Sequence, residues 1–152
     1  MQNAVNFAVA QGSVVVVAAG NEGDNADNHF PASCENVIAV AAVDRDGTLA
    51  SYSNTGNAVD IASSGGRLDR ILSTLNDGDT TRGNETYGEY IGTSMATPHV
   101  AGIAALLKSM DRTLTHDDVE QLLTETAKPY LTECSGCGTG IADADRAVRA
   151  LQ

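Results

Sequence analysis

The apolar positions change rhythm along this chain. Near the start, Ala4, Val5, Ala8 and Val9 recur at helical spacing, and Gly12 closes the run. Val14 to Ala19 is then apolar without interruption and rich in valine. A strand that is apolar on both faces predicts a place in the middle of a parallel sheet. Asn36 to Val43 repeats that signature; Ala58 to Ala62 is a shorter third candidate and Ile71 to Leu75 a fourth. Turns rich in Gly, Asn, Asp and Ser separate them, as at Gly20 to Asn28 and Ser63 to Gly66. From Ser94 the period becomes helical. Val100, Ile103, Ala104, Leu106 and Leu107 form one stripe over Ser94 to Met110. Thr115, with Asp118 three residues on, reads as the cap of a helix that buries Val119, Leu122 and Leu123. Asp143 to Leu151 is a short last helix. Strands alternating with helices or long crossings, followed by three helices, predict an α/β fold with a parallel sheet.

Composition narrows the function classes. A chain of 152 residues with 42% hydrophobic and 19% charged positions is globular and suits one modest domain. Aromatics are only 4%, so the core is built from Ala, Val, Ile and Leu. Twenty acids against nine bases give a net charge of −11. That excludes nucleic acid as a partner, because phosphate binding needs a basic footprint, and it disfavours an anionic membrane surface. No apolar run reaches the roughly 18 residues of a spanning helix. Met1 to Ala4 lacks the basic and apolar regions of a signal peptide. Cys134 and Cys137 form a lone C-x-x-C, which favours a tight disulfide over zinc; Cys34 stands alone.

Two segments carry chemistry. In Gly92-Thr93-Ser94-Met95-Ala96-Thr97-Pro98-His99-Val100-Ala101-Gly102 a hydroxyl sits at the mouth of a helix among small residues. Free backbone N–H groups and the positive dipole end there suit an oxyanion. An isolated Thr-Ser would merely cap the helix. Pro98 argues otherwise, because it removes an N–H owed to the Ser94 carbonyl and predicts a bent start. The second segment, Ala18-Ala19-Gly20-Asn21-Glu22-Gly23, lies at a strand's C-terminal end, where α/β sheets build their sites. Its Asn amide can donate to a developing oxyanion, although Asn and Gly alone also make an ordinary turn.

Taken together, the segments are specific. Gly92 to Gly102 resembles the nucleophile motif of the subtilisin-like serine proteases (subtilases, peptidase family S8). Ala18 to Asn21 resembles the segment that carries their oxyanion asparagine. Phe30-Pro31-Ala32-Ser33 with Val37 to Val40 resembles the next segment, whose aromatic–Pro bond is usually cis. Ser51-Tyr52-Ser53-Asn54, Val59-Asp60-Ile61-Ala62 and Gly138 to Ala144 resemble those that follow. The resemblance spans nearly the whole chain in order. It implies that Ser94 is the nucleophile of an endopeptidase acting through an acyl-enzyme. Asn21 and the Ser94 N–H would hold the oxyanion, and Ala19, Gly20, His29, Gly92 and Thr93 would line the substrate site, with His29 near the floor of the primary specificity pocket or simply in a surface loop. Protein or peptide is the implied substrate, and no cofactor is required. Asp60, with carbonyls near Ala32 and Val37, is a candidate for a weak structural calcium or monovalent cation, or else a capped strand end. Secretion is implied by the resemblance and the cysteines, with a Cys134–Cys137 disulfide.

The same family needs a His base and an orienting Asp. No Asp-Ser-Gly, Asp-Thr-Gly or His-Gly-Thr occurs here. Among the three histidines, His99 is expected to be structural, and His116 solvated at a helix start. Residues 1–152 therefore read as the nucleophile-bearing C-terminal half of a three-layer α/β/α domain. The half carrying Asp and His is its missing partner, and the isolated chain is expected to be inactive, with an exposed sheet edge and apolar face. A truncated or decayed relative is the alternative; an independent ligand-binding module does not explain Gly92 to Gly102.

Overall fold

A computed structural model describes residues 1–131 and 133–152. Helix α1 (Gln2–Ala10) leads into β1 (Val16–Ala18). A single 3-10 turn (Ala26–Asn28) precedes β2 (Ile38–Val43) and β3 (Ile61–Ser64). These strands form a parallel sheet in the order β1-β2-β3, with Val16 opposite Ile38 and Val40 opposite Ile61. Strands β4 (Ile71–Asn76) and β5 (Glu85–Tyr90) make a separate antiparallel hairpin. Helices α2 (Thr93–Met110), α3 (His116–Glu125) and α4 (Ala144–Arg149) close the chain.

Alternation along β2 sorts the core into two faces. Ile38, Val40 and Ala42 meet Val100, Ile103, Ala104 and Leu107 of α2, with Val119, Leu123 and Ala147 behind them. Each large aliphatic buried there contributes about 1.5–3 kcal/mol. Ala39, Ala41 and Val43 face the other way, against Ala19, Ala26, Ala32 and Val59. Small residues let loops, rather than a helix, lie directly on that face. Farther along it, α1 covers Val15 and Val17 through Val5, beside Cys34 and Val37.

Four features depart from the sequence expectation. β2, not the valine run, occupies the middle of the parallel sheet; β1 is its edge and is only half-buried. The third strand starts at Ile61 because the Asp60 carboxylate takes the Ala39 N–H at 2.7 Å, standing in for a backbone acceptor. The fourth candidate pairs antiparallel with β5, a strand the apolar rhythm did not reveal. Its sequence, Glu-Thr-Tyr-Gly-Glu-Tyr, is largely exposed, so no buried face imposes a period on it. His116 is 3% exposed rather than solvated, because it shares the inward stripe of Val119 and Leu123 on α3.

Leu72, Leu75, Tyr87 and Tyr90 of the hairpin are exposed, as are Phe7 and Phe30. No helix among the described residues is long and apolar enough to cross a membrane. Cys134 and Cys137 are joined as a disulfide, and Cys34 is buried as a free thiol.

Candidate active site

The site forms where the C-terminal end of β1 meets the N-terminus of α2. Asn21 is held by its acceptor oxygen. Its Oδ1 accepts from the Thr93 N–H at 2.8 Å and from the Thr93 hydroxyl at 2.9 Å. Thr93 Oγ1 in turn accepts from the Gly20 N–H at 3.3 Å. Two donors on one oxygen fix the amide's orientation, so Nδ2 faces away from Thr93. Among the described residues Nδ2 has no hydrogen-bond partner, and neither has the Ser94 N–H, the second residue of α2.

Gly92 makes room between these donors. A Cβ there would stand 3.5 Å from Asn21 Nδ2 and 3.7 Å from Ser94 N. Both N–H groups therefore flank one small space that a side chain would fill. The φ of Gly92 is 149°, a conformation that favours glycine. Its N–H is anchored on the Gly65 carbonyl at 2.9 Å, and its carbonyl accepts from Met95 and Ala96. Ser94 itself is exposed at the helix mouth. Ala19, Gly92 and Thr93 are buried, so they support the site from beneath, whereas Gly20 and His29 are half-buried at the surface.

Pro98 lies in α2 and cannot donate to the Ser94 carbonyl. The neighbouring carbonyls are well used: Thr97 Oγ1 donates to Thr93 O at 2.8 Å, and His99 Nδ1 lies 2.8 Å from Met95 O. His99 is thus tied to its own helix, as expected of a structural histidine. His29 sits between two carboxylates, 3.4 Å from Asp24 and 3.8 Å from Glu22. His116 faces Glu120 at 3.6 Å. None of the three histidines hydrogen-bonds Ser94 among the described residues.

Sequence reading did not single out Asn54, which is fully buried and holds the Asn21 loop. Its Oδ1 accepts from the N–H groups of Glu22 and Asp24, both at 3.0 Å. Its Nδ2 donates to the Ala19 carbonyl at 3.1 Å and to Glu22 Oε2 at 2.8 Å. That last bond holds the Glu22 carboxyl below its ordinary range. The Ser-Tyr-Ser-Asn segment was the available signal, because a buried Asn must find partners for both ends of its amide. The Phe30–Pro31 bond is cis.

Asp60 lies away from this site. Burial pushes its carboxyl up to about 6, opposed by the Ala39 N–H. It lines one cavity with Glu120 and the 32–37 segment. Burial raises the Glu120 carboxyl as well. The free thiol Cys34 lines the same cavity.

Known proteins share this sequence pattern and fold. The profile of the subtilase family, Peptidase_S8, matches residues 1–145. An extracellular protease of Xanthomonas campestris pv. campestris is 53% identical over 152 residues, covering 99% of this chain and 26% of the relative. Thermitase of Thermoactinomyces vulgaris is 41% identical, covering 91% and 44% respectively. Among solved structures, a protease from Pseudoalteromonas arctica PAMC 21717 superposes with a TM-score of 0.93 at 44% identity, over 99% of this chain and 46% of that one. A lanthipeptide protease gives 0.83 at 26% identity, over 99% and 54%. The chain spans between about a quarter and about half the length of these proteins. Motifs and similarity over nearly its full length agree: the chain belongs to the subtilase family.

Proposed function

We propose that this chain is the nucleophile-bearing part of a secreted serine endopeptidase. Ser94 Oγ attacks the scissile carbonyl of a protein or peptide and forms an acyl-enzyme. The carbonyl oxygen becomes an oxyanion between Asn21 Nδ2 and the Ser94 N–H. The observation that carries this reading is the Asn21 amide, whose Oδ1 is committed to Thr93 while Nδ2 and the Ser94 N–H stand free around Gly92. Donors fixed before the reaction cost no reorganisation when charge develops.

Serine is a poor nucleophile at neutral pH without a base. His29 and His99 are engaged elsewhere and His116 is buried on the inward stripe of α3, so the base and its orienting acid come from chain outside these 152 residues. Alone, residues 1–152 have no triad-level activity. The exposed apolar hairpin and the half-buried β1 edge suit contact with that missing part. Secretion is supported by relatives named extracellular proteases and by the Cys134–Cys137 pair. Asp60, Glu120 and the 32–37 carbonyls would hold a weak structural cation, which would steady that loop and take no part in the chemistry. Gly20 and His29 would meet substrate at the surface, without nucleic acid or membrane as partner.

A fluorophosphonate probe followed by peptide mapping tests this reading. In the complete protease Ser94 should be the one serine rapidly modified, and in residues 1–152 alone it should react slowly or not at all. Rapid labelling of the isolated chain would show that a base is present after all. Labelling of another serine would remove Ser94 as the nucleophile.

A further inference from the structure

We propose that His116, Asp117 and Glu120 form a binding site for a first-row divalent transition metal, zinc being the probe of choice, at the start of α3. The starting observation is His116. Its side chain is 1% exposed, and among the described residues neither ring nitrogen has a hydrogen-bond partner. A buried imidazole is normally satisfied, so two orphaned nitrogens call for a ligand.

The neighbours supply the rest of a coordination shell. Glu120 is one helical turn on, and its Oε2 lies 3.6 Å from His116 Nε2. That is too long for a hydrogen bond. It suits two ligands of one ion: bonds of about 2.0–2.2 Å at a tetrahedral angle hold donors roughly 3.4 Å apart. An Asp117 oxygen joins them, with all three donor atoms within 4.8 Å of one another. Asp117 is exposed, so its carboxylate can swing inward, and a water would complete the set. One imidazole nitrogen favours zinc and its neighbours over calcium or magnesium. Burial raises the Glu120 carboxyl, and a bound cation would relieve that.

Positive charges border the site. The positive end of α3 disfavours a cation, but Asp118 sits on it in a capping box with Thr115. Lys108 and Arg112 line the same cavity as His116 and Asp117; the Lys108 ammonium is held by the Leu114 carbonyl at 2.6 Å and the Arg112 carbonyl at 3.3 Å, and the Asp117 and Glu120 carboxylates offset these charges. The cavity wall opposite is Val9, Ala10 and Gly12, at the end of α1. A metal here would fix the first turn of α3 against that wall. Glu120 lines the separate cavity at Asp60, which shares no lining residue with the cavity of His116 and Asp117.

The test is calorimetric titration of zinc into the chelator-treated, non-reduced chain, with cobalt as a spectroscopic substitute. One zinc per chain, a rise in Tm with zinc, and ligand-field bands from cobalt are expected. His116→Asn and Glu120→Gln should each weaken zinc binding at least ~10-fold. Asp60→Asn and Cys34→Ala should bind as the parent does, which separates this site from the Asp60 cavity and from a thiol. Circular dichroism checks that each variant folds, and Glu120→Gln decides the matter if His116→Asn does not. No zinc uptake, unchanged binding in Glu120→Gln, or loss of binding in Asp60→Asn or Cys34→Ala would overturn the proposal.

Discussion

Helices α2 and α3 begin in opposite ways. At α3, Thr115 accepts from the Asp118 N–H, and the Asp118 carboxylate takes the Thr115 N–H at 2.8 Å. That reciprocal box satisfies two of the donors at the helix start, and the His116 and Asp117 N–H groups between them have no partner among the described residues. At α2 the N-cap is Gly92, which has no side chain to offer. Asn21 reaches in from another segment and takes the Thr93 N–H, leaving the next N–H, that of Ser94, free. The difference shows what each end is for. The α3 cap is made by its own segment, from side chains three residues apart. The α2 start is propped from another segment instead, and its free Ser94 N–H stands beside Gly92, where the proposed oxyanion would sit.

Substitutions should break this contrast in a graded way. The largest effect is expected from Gly92→Ala in the complete protease. A methyl would fill the space between the two donors, lowering kcat by at least about 10²-fold, and positive φ would cost about 1 kcal/mol besides. Peptide hydrolysis and thermal melting check both parts. Asn54→Ala comes next. It leaves the Ala19 carbonyl and the Glu22 and Asp24 N–H groups without their partner, costing about 2–3 kcal/mol by denaturant unfolding. Activity should fall with it, because the Asn21 loop loses its clamp.

At the α3 side, pH is the lever. Asp60 binds its proton more tightly folded than unfolded, so stability declines as pH rises from ~4 through its folded value of about 6. Asp60→Asn keeps an acceptor for the Ala39 N–H and removes that decline. Its Tm at pH 7 should exceed the parent's, and the two should converge on acidification. A parent Tm that climbs across this window would refute the assignment. The smallest effect is expected from Thr115→Ala, about 1 kcal/mol in stability, with kcat unchanged. If instead it altered turnover, the two helix starts would not be functionally distinct.

Much of this contrast could be read from sequence, for identifiable reasons. Thr115 and Asp118 are a local device, fixed by spacing alone. Ser94 and Asn21 stand out as candidates because each lies within a segment resembling a family motif; neither Thr-Ser nor Gly-Asn alone would have served. Asn54 was missed because its work is done across the chain, through contacts that no periodicity records. His116 was misplaced because a polar type was weighed above its position, three and seven residues before Val119 and Leu123 on one stripe. β5 escaped because an exposed hairpin leaves no buried pattern, and β1 was set too deep because its valines signal burial without saying which neighbour provides it.

Steady-state kinetics of Asn21→Ala in the complete protease test the open helix start most directly. Loss of the Nδ2 donor should lower kcat about 10²–10³-fold, the size observed when a subtilisin loses its oxyanion asparagine, with KM nearly unchanged. A variant that raised KM and kept its kcat would contradict the role of Asn21, and with it the reading of the Gly92 space as an oxyanion site.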